Sequence, residues 1–171
     1  MPKGSSLTVV GRNEVLDLPV YKIHGVPAKI DTGADSSAIW ASDISVSKDG
    51  TLQFVLFGEE SEHYSGELVS RKDFRAAKVM SSNGQSEVRY RAQITVVVAG
   101  KRIKAMFNLS NRSKHTYPIL IGRRTLAGKF LVDVRRGNKP KVTSGTAVLN
   151  DEMKQDPYAF FKKYHQKDSV N

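Results

Sequence analysis

Cysteine is absent from the 171-residue chain. Its absence excludes a disulfide scaffold and any thiolate metal site, and carries no information about compartment. Long apolar runs are missing too. None approaches the ~18–20 residues of a membrane helix, so no membrane partner is expected. The first ten residues hold one lysine and no long apolar stretch after it, which is not a signal-peptide pattern. The expected compartment is the cytoplasm, although a trimmed exported chain would look the same. Histidine is sparse: His24, His63, His115 and His165 are scattered, and no His-Glu-x-x-His occurs. No metal site is expected from that spacing. A Gly-x-x-x-x-Gly-Lys-Ser/Thr loop is absent, so no nucleotide cofactor is expected either. A Gly-x-Ser-x-Gly elbow is also absent, which leaves serine-hydrolase chemistry without support.

What is present is enough for a core. Hydrophobic residues make up 39% and charged residues 26%, a composition that folds rather than stays disordered. The length suits one compact domain, or one domain with a tail. Basic residues outnumber acidic ones 27 to 17, a formal net charge of +10. The excess is uneven. Residues 1–70 carry 5 Lys/Arg and 10 Asp/Glu, residues 71–134 carry 14 and 3, and residues 135–171 carry 8 and 4. A basic middle third points to an acidic partner or to a solvated basic face.

Short β-prone runs dominate up to Val134. They are Leu7–Val10, Val26–Ile30, Thr51–Phe57, Gln93–Ala99, Ile103–Leu109, Ile119–Ile121 and Phe130–Val134. Turn residues separate them, the pattern of a small β-barrel or sandwich. Ala99-Gly100-Lys101 and Ser82-Asn83-Gly84 read as hairpin turns, since both supply residues that accept positive φ. The expected division is a β domain over 1–134 and a basic linker with a helical tail over 135–171. Asp156-Pro157 marks the helix start, with an N-cap carboxylate and proline at the first helical position. Thr143-Ser144-Gly145-Thr146 reads as linker.

One segment carries chemistry. The run Ala28-Lys29-Ile30-Asp31-Thr32-Gly33-Ala34-Asp35-Ser36-Ser37 ends a strand in Asp-Thr-Gly-Ala. Asp31 then sits where a strand meets a turn, a position from which a rigid scaffold presents a side chain. Gly33 lets backbone approach the carboxylate and donate to it, and the Thr32 hydroxyl is available to lock the loop. Trp40, the lone tryptophan, follows this loop. Core packing is its default reading, and a wall of the cleft the sharper one.

Asp31-Thr32-Gly33-Ala34 resembles the active-site signature of aspartic proteases in the single-lobed retroviral style. Ile119-Leu120-Ile121-Gly122-Arg123 is similar to the second motif of those enzymes. Lys78 to Tyr90 resembles the flap hairpin, with Ser81, Ser82, Asn83 and Gly84 at its tip. The wider resemblance is to a bacterial retropepsin-like family once labelled ATP-dependent zinc proteases. It extends through Val10–Glu14, Glu87 and Arg89, Asn108–Arg112, and Leu120–Arg123 running to Phe130–Asp133, and covers roughly residues 8–134. Members are often encoded near ATP-grasp ligases that add glutamates to ribosomal protein, which implies a functional link to such a ligase.

The resemblance implies an all-β, single-lobed closed barrel. It implies an aspartic peptidase with Asp31 catalytic, and Arg123, after Gly122, packed on Asp35 to support the loop. A single Asp-Thr-Gly has a physical consequence. This chemistry needs two carboxyl groups sharing one proton, so the second Asp31 must come from another chain of a homodimer. Lys78, Arg89 and Arg91 flank the flap and are candidate contacts for an acidic peptide, such as a glutamate-rich tail. Alternation along a hairpin lets one parity face the cleft, and the sequence leaves the parity open. The chain departs from retropepsins in a longer segment over residues 43–75 and in a flap tip that is not glycine-rich. Two other readings stand beside the peptidase. One is a peptide-binding adaptor on the same fold. The other is a nucleic-acid-binding protein, suggested by charge alone and lacking a recognisable motif.

Overall fold

The computed structural model describes residues 6–80, 83–138 and 144–165. Ser81 and Ser82 of the expected flap tip lie outside them, as does Thr143. The chain divides into two compact units, Met1–Asn138 and Lys139–Asn171.

The first unit is built from eleven strands among the described residues. They are β1 (Thr8–Val10), β2 (Asn13–Leu18), β3 (Ile23–Ile30), β4 (Ser37–Val46), β5 (Leu52–Leu56), β6 (Leu68–Arg71), β7 (Arg75–Met80), β8 (Ser86–Val98), β9 (Lys101–Ser110), β10 (Ile119–Ile121) and β11 (Phe130–Val132). A one-turn helix, α1 (Arg123–Leu126), follows β10. Alternation explains the longest strand. Ala92, Ile94, Val96 and Val98 of β8 are buried, while Gln93, Thr95 and Val97 between them are not. The β8–β9 turn falls at Ala99 and Gly100, both at positive φ, as the two central residues of a tight hairpin require.

Six strands close into a ring. The order runs β10–β3–β2–β8–β9–β4, and β10 then pairs with β4 as well as with β3. Ile119 faces Ala28 in the parallel β3 ladder and Ile39 in the antiparallel β4 ladder. A short apolar strand serves both because its backbone groups are shared between the two neighbours. The core inside the ring includes Leu16, Leu18, Ile39, Ile94, Phe107, Ile119 and Ile121, all fully buried or nearly so. β5 and β6 extend the sheet beyond β4. They account for the long segment over residues 43–75, and Phe54 and Leu56 tie them to the same core. β7 and β8 form the hairpin whose turn carries Asn83 and Gly84. β1 and β11 pair in parallel as a separate two-stranded sheet, on which Val9 and Leu131 lie side by side and exposed.

Four strands have no counterpart among the expected runs: β2, β4, β6 and β7, the last overlapping only the expected flap hairpin from Lys78. β2 reads Asn-Glu-Val-Leu-Asp-Leu, and its acids act on local backbone. Glu14 accepts from the Gly11 N–H at 2.8 Å and Asp17 from the Gly25 N–H at 2.9 Å. β4 begins with small residues that suit a crowded crossing. β6 is four residues long and its Leu68 is exposed.

The second unit holds α2 (Ser144–Gln155) and α3 (Pro157–His165). Asp156 caps α3, accepting from the N–H groups of Tyr158 and Ala159 at 3.1 and 3.0 Å. Ser144–Thr146, expected as linker, opens α2 instead. Their helix-poor composition is outweighed by the polar helix formers and apolar residues that follow to Gln155. α2 and α3 are joined by Glu152, which accepts from Lys163 Nζ at 2.6 Å and Tyr164 Oη at 3.0 Å.

The barrel core sets the stability of the first unit. Phe107→Ala should lower its unfolding free energy by about 3–5 kcal/mol, read as a shift in urea midpoint at unchanged slope. A loss below about 1 kcal/mol would contradict the packing described.

Candidate active site

Asp31 follows β3 directly. Its N–H donates to the Ile121 carbonyl at 2.9 Å, so β10 holds the point where the strand becomes a loop. The loop folds back on the carboxylate. The N–H groups of Gly33 and Ala34 donate to Asp31 Oδ1 at 3.0 and 3.2 Å. Oδ2 is left facing outward, 3.6 Å from Lys29 Nζ. Lys29 reaches it because residues two apart on a strand share a face. Thr32 is exposed, and its hydroxyl makes no hydrogen bond among the described residues.

Gly122 supports the loop by close approach. A Cβ there would come within 2.6 Å of the Ser36 carbonyl carbon and 2.9 Å of the Ala34 carbonyl oxygen. Its N–H donates to the Ser37 hydroxyl at 3.0 Å, which lies 2.6 Å from the Thr125 hydroxyl, all in a buried setting. The next two N–H groups, of Arg123 and Arg124, donate to the Ala34 and Asp35 carbonyls at 2.8 and 3.2 Å. The expected Asp35–Arg123 contact is present at 3.6 Å, but Arg124 is the nearer partner at 2.9 Å. All three side chains are more than half exposed, so this pair adds at most about 1 kcal/mol. The backbone bonds beneath it hold the loop.

A cavity of about 540 Å³ opens beside this loop, between Ala34, Asp35 and Ser36 on one side and the β7–β8 hairpin on the other. The hairpin register decides which basic residues face it. Arg75 pairs with Arg91 and Ala77 with Arg89, so these three arginines share one face. Lys78 pairs with Val88 and belongs to the opposite face, although it too borders the cavity. Arg89 is also bonded to Glu87. Two further arginines line the cavity, Arg112 and Arg124.

Arg112 is buried, and its Nε donates to the Tyr117 carbonyl at 3.0 Å. Burial, then the Arg89 charge, pull its pKa down, and Asp31 pulls it back up. Its guanidinium therefore lies in the field of both. His115, although exposed, is likewise pushed below the usual imidazole value by partial desolvation, Arg112 and Arg89. Two residues of the cavity wall hold buried polar atoms with no hydrogen-bond partner among the described residues: the Oδ1 acceptor of Asn108 and the Nε donor of Arg91. Buried orphans of this kind are uncommon.

Residues 9–139 match the model of the RimB-like family, described as retropepsin-like aspartic endopeptidase RimB. The chain belongs to that family. A probable alpha-L-glutamate ligase of Shewanella pealeana is 28% identical over 128 residues, which is 73% of this chain and 28% of that protein. A probable alpha-L-glutamate ligase of Parasynechococcus marenigrum is 25% identical over the same length, again 28% of the protein. The chain thus spans little more than a quarter of the curated relatives it matches. Among solved structures, protein Lpg0085 of Legionella pneumophila, of unknown function, superposes with a TM-score of 0.58 at 24% identity. The match covers 77% of this chain and 96% of that one, and it supports the fold.

Membership places the Asp31 loop, Gly122 and the hairpin inside the matched span. Sequence reasoning missed Lys29, Arg112 and Arg124 as neighbours of the loop. Period-two spacing from Asp31 was a usable signal for Lys29. Nothing local signals Arg112, which a tertiary turn brings in. Trp40 is buried in the core and borders a different cavity of about 670 Å³, near Gly58 and Tyr64, that shares no residue with the Asp31 loop. No group of three or more His, Asp or Glu that could hold a metal ion occurs among the described residues. No helix there is long and apolar enough to cross a membrane.

Gly122→Ala should cost about 1–3 kcal/mol, because backbone rather than a flexible side chain must yield. Ser37→Ala should cost a similar ~1–3 kcal/mol, since it leaves a buried N–H unpaired. Thermal unfolding of both variants checks this, and wild-type stability in the glycine variant would refute the close approach.

Proposed function

We propose that the protein is a homodimeric aspartic peptidase in which Asp31 of each chain contributes one half of a catalytic dyad. The observation that carries the reading is the Asp31 carboxylate itself. It is fixed through Oδ1 by two backbone N–H groups, in a loop whose Ala34, Asp35 and Ser36 border a cleft beside the hairpin. In the proposed reaction one carboxylate is ionised and activates water, while the other is protonated and donates to the carbonyl oxygen of the bond being cut. Two carboxyl groups that close titrate as a unit, so neither chain has a working site alone. The hairpin, with Asn83 and Gly84 at its turn, acts as the flap that covers the bound chain.

Support for a two-fold dimer comes from β1 and β11. They present a short open sheet with Val9 41% and Leu131 54% exposed, an edge that a second copy can cover. Support for an acidic substrate comes from the four arginines around the cleft, Arg89, Arg91, Arg112 and Arg124. The relatives named as probable alpha-L-glutamate ligases add to it. There, a segment like this one is part of a longer chain named for glutamate ligation. A hydrolase linked to such a ligase would act on glutamate-extended chains, through peptide or isopeptide bonds.

A second reading rests on Lys29. An ammonium 3.6 Å from Oδ2 occupies space that the partner carboxyl or a water would need, and a cleft held so would bind without cutting.

The two readings part in one experiment. Wild type and Asp31→Asn are incubated with glutamate-extended peptides and followed by mass spectrometry. The peptidase reading expects cleavage by wild type and a loss of at least about a thousandfold in the variant. Equal cleavage by both rules out the Asp31 mechanism, and tight binding without cleavage by wild type favours the second reading. The double change Val9→Asp with Leu131→Asp should give an inactive but folded monomer in sedimentation. Full activity from that monomer would overturn the shared site.

A further inference from the structure

A second cavity, of about 300 Å³, adjoins the first. It is bounded by Arg75, Arg91, Lys104, Arg124 and Lys129, and it has no acidic residue in its wall. The two cavities share Ser36, Arg91 and Arg124 in their walls, so they lie side by side. Arg124 is engaged by Asp35 at 2.9 Å. No carboxylate partner is recorded for Arg75, Arg91, Lys104 or Lys129 among the described residues. Four strands and loops converge to make this wall: Arg75 from β7, Arg91 from β8, Lys104 from β9, and Lys129 from the turn before β11. Such convergence carries a repulsive cost unless an anion is bound. Ser36 adds a hydroxyl-bearing residue to the same wall.

We propose that this second cavity is a distal anion subsite, which holds substrate carboxylates a few residues away from the bond placed at Asp31. The inference rests on the peptidase reading for its orientation, and on the cavity itself for its chemistry. An extended chain advances about 3.3 Å per residue. A chain lying along the hairpin therefore carries its next acidic side chains from the first compartment into the second. A peptide suits the space better than a nucleic acid. The wall has no aromatic side chain on which a base could stack. A cavity of this size accepts one or two side-chain carboxylates rather than a run of phosphates and sugars. The consequence is a preference for chain length: affinity rises with the number of acidic residues beyond those the first compartment holds.

Lys104 and Lys129 border the second cavity and not the first, so they isolate its effect. The test uses the full chain carrying Asp31→Asn, so that binding is read without turnover and independently of whether the protein cleaves. Fluorescein-labelled diglutamate and hexaglutamate are titrated by anisotropy, and the same is done after adding Lys104→Gln and Lys129→Gln. Circular dichroism confirms that both proteins are folded. The expected result is that hexaglutamate binds at least about tenfold tighter than diglutamate, and that the double change reduces this ratio to near one. A ratio unaffected by the double change, or no gain with length, overturns the subsite. A single-stranded oligonucleotide that binds tighter than hexaglutamate and loses that binding in the double variant overturns the assignment to a peptide. Failure of wild type to cleave would count against the peptidase reading alone and leave this ratio unchanged.

Discussion

The three-residue strand β10 is the constraint on which the rest depends. Its backbone is shared by β3 and β4, and that sharing closes the ring. The same stretch then fixes the Asp31 loop, through the Ile121 carbonyl before Gly122 and the N–H groups of Arg123 and Arg124 after it. Barrel closure and loop geometry are therefore one structural event. A shift of β10 by one residue would exchange Ile119 and Ile121, which are buried, with Leu120, which lines the cleft. The apolar pattern forbids that slip, and so fixes where the carboxylate stands.

Gly122 shows why this arrangement tolerates so little change. Backbone of the two motifs crosses at a separation that leaves no room for a methyl group. Buried hydroxyls of Ser37 and Thr125 satisfy the polar groups that this crossing takes out of water. A buried N–H without a partner would cost about 1–3 kcal/mol, a large share of the stability of a small domain. The exposed Asp35, Arg123 and Arg124 cluster looks more conspicuous, yet solvent screens it. The loop is held by short-range sterics and backbone hydrogen bonds, and the surface charges are free to serve another purpose.

Much of this was legible in the sequence, and the gaps have physical causes. The Asp31 loop, the Ile-Gly-Arg turn and both hairpin turns were readable because turn and close-approach chemistry restricts residue choice locally. β2 was not, since its acidic residues serve neighbouring backbone and mask the alternation. β4 was not, because small residues at a crossing lack the bulk that marks a strand. The first three residues of α2, Ser144–Thr146, read as linker because Ser-Gly-Thr is helix-poor, and the helical character lies in the residues that follow. The parity of the flanking basic residues was not readable, since it depends on register. Pairing puts Arg75 beside Arg91 and places Lys78 on the opposite face, although Lys78 still borders the cavity. The signal for Arg75 was available only after the hairpin partner was known.

Charge and chemistry then have to be reconciled. The dyad proposed above would carry a negative charge with its one shared proton, and the proposed acidic substrate would bring more of the same sign to it. At 4 Å two unit charges repel by about 4 kcal/mol in surroundings of intermediate polarity. A cleft lined with neutral groups would therefore reject the chain it is meant to cut. Here Lys29 lies beside the carboxylate, Arg112 is buried behind it, and Arg89, Arg91 and Arg124 border the approach. Under the proposed peptidase reading these cations would offset the local negative charge, so that substrate carboxylates are attracted although the reacting group is an acid. Burial matters more here than number. An arginine such as Arg112, buried and with its Nε committed to a carbonyl, is screened less than an exposed lysine would be. On this argument the basic middle third of the sequence is the counterweight that lets a carboxylate-based site accept a carboxylate-rich chain.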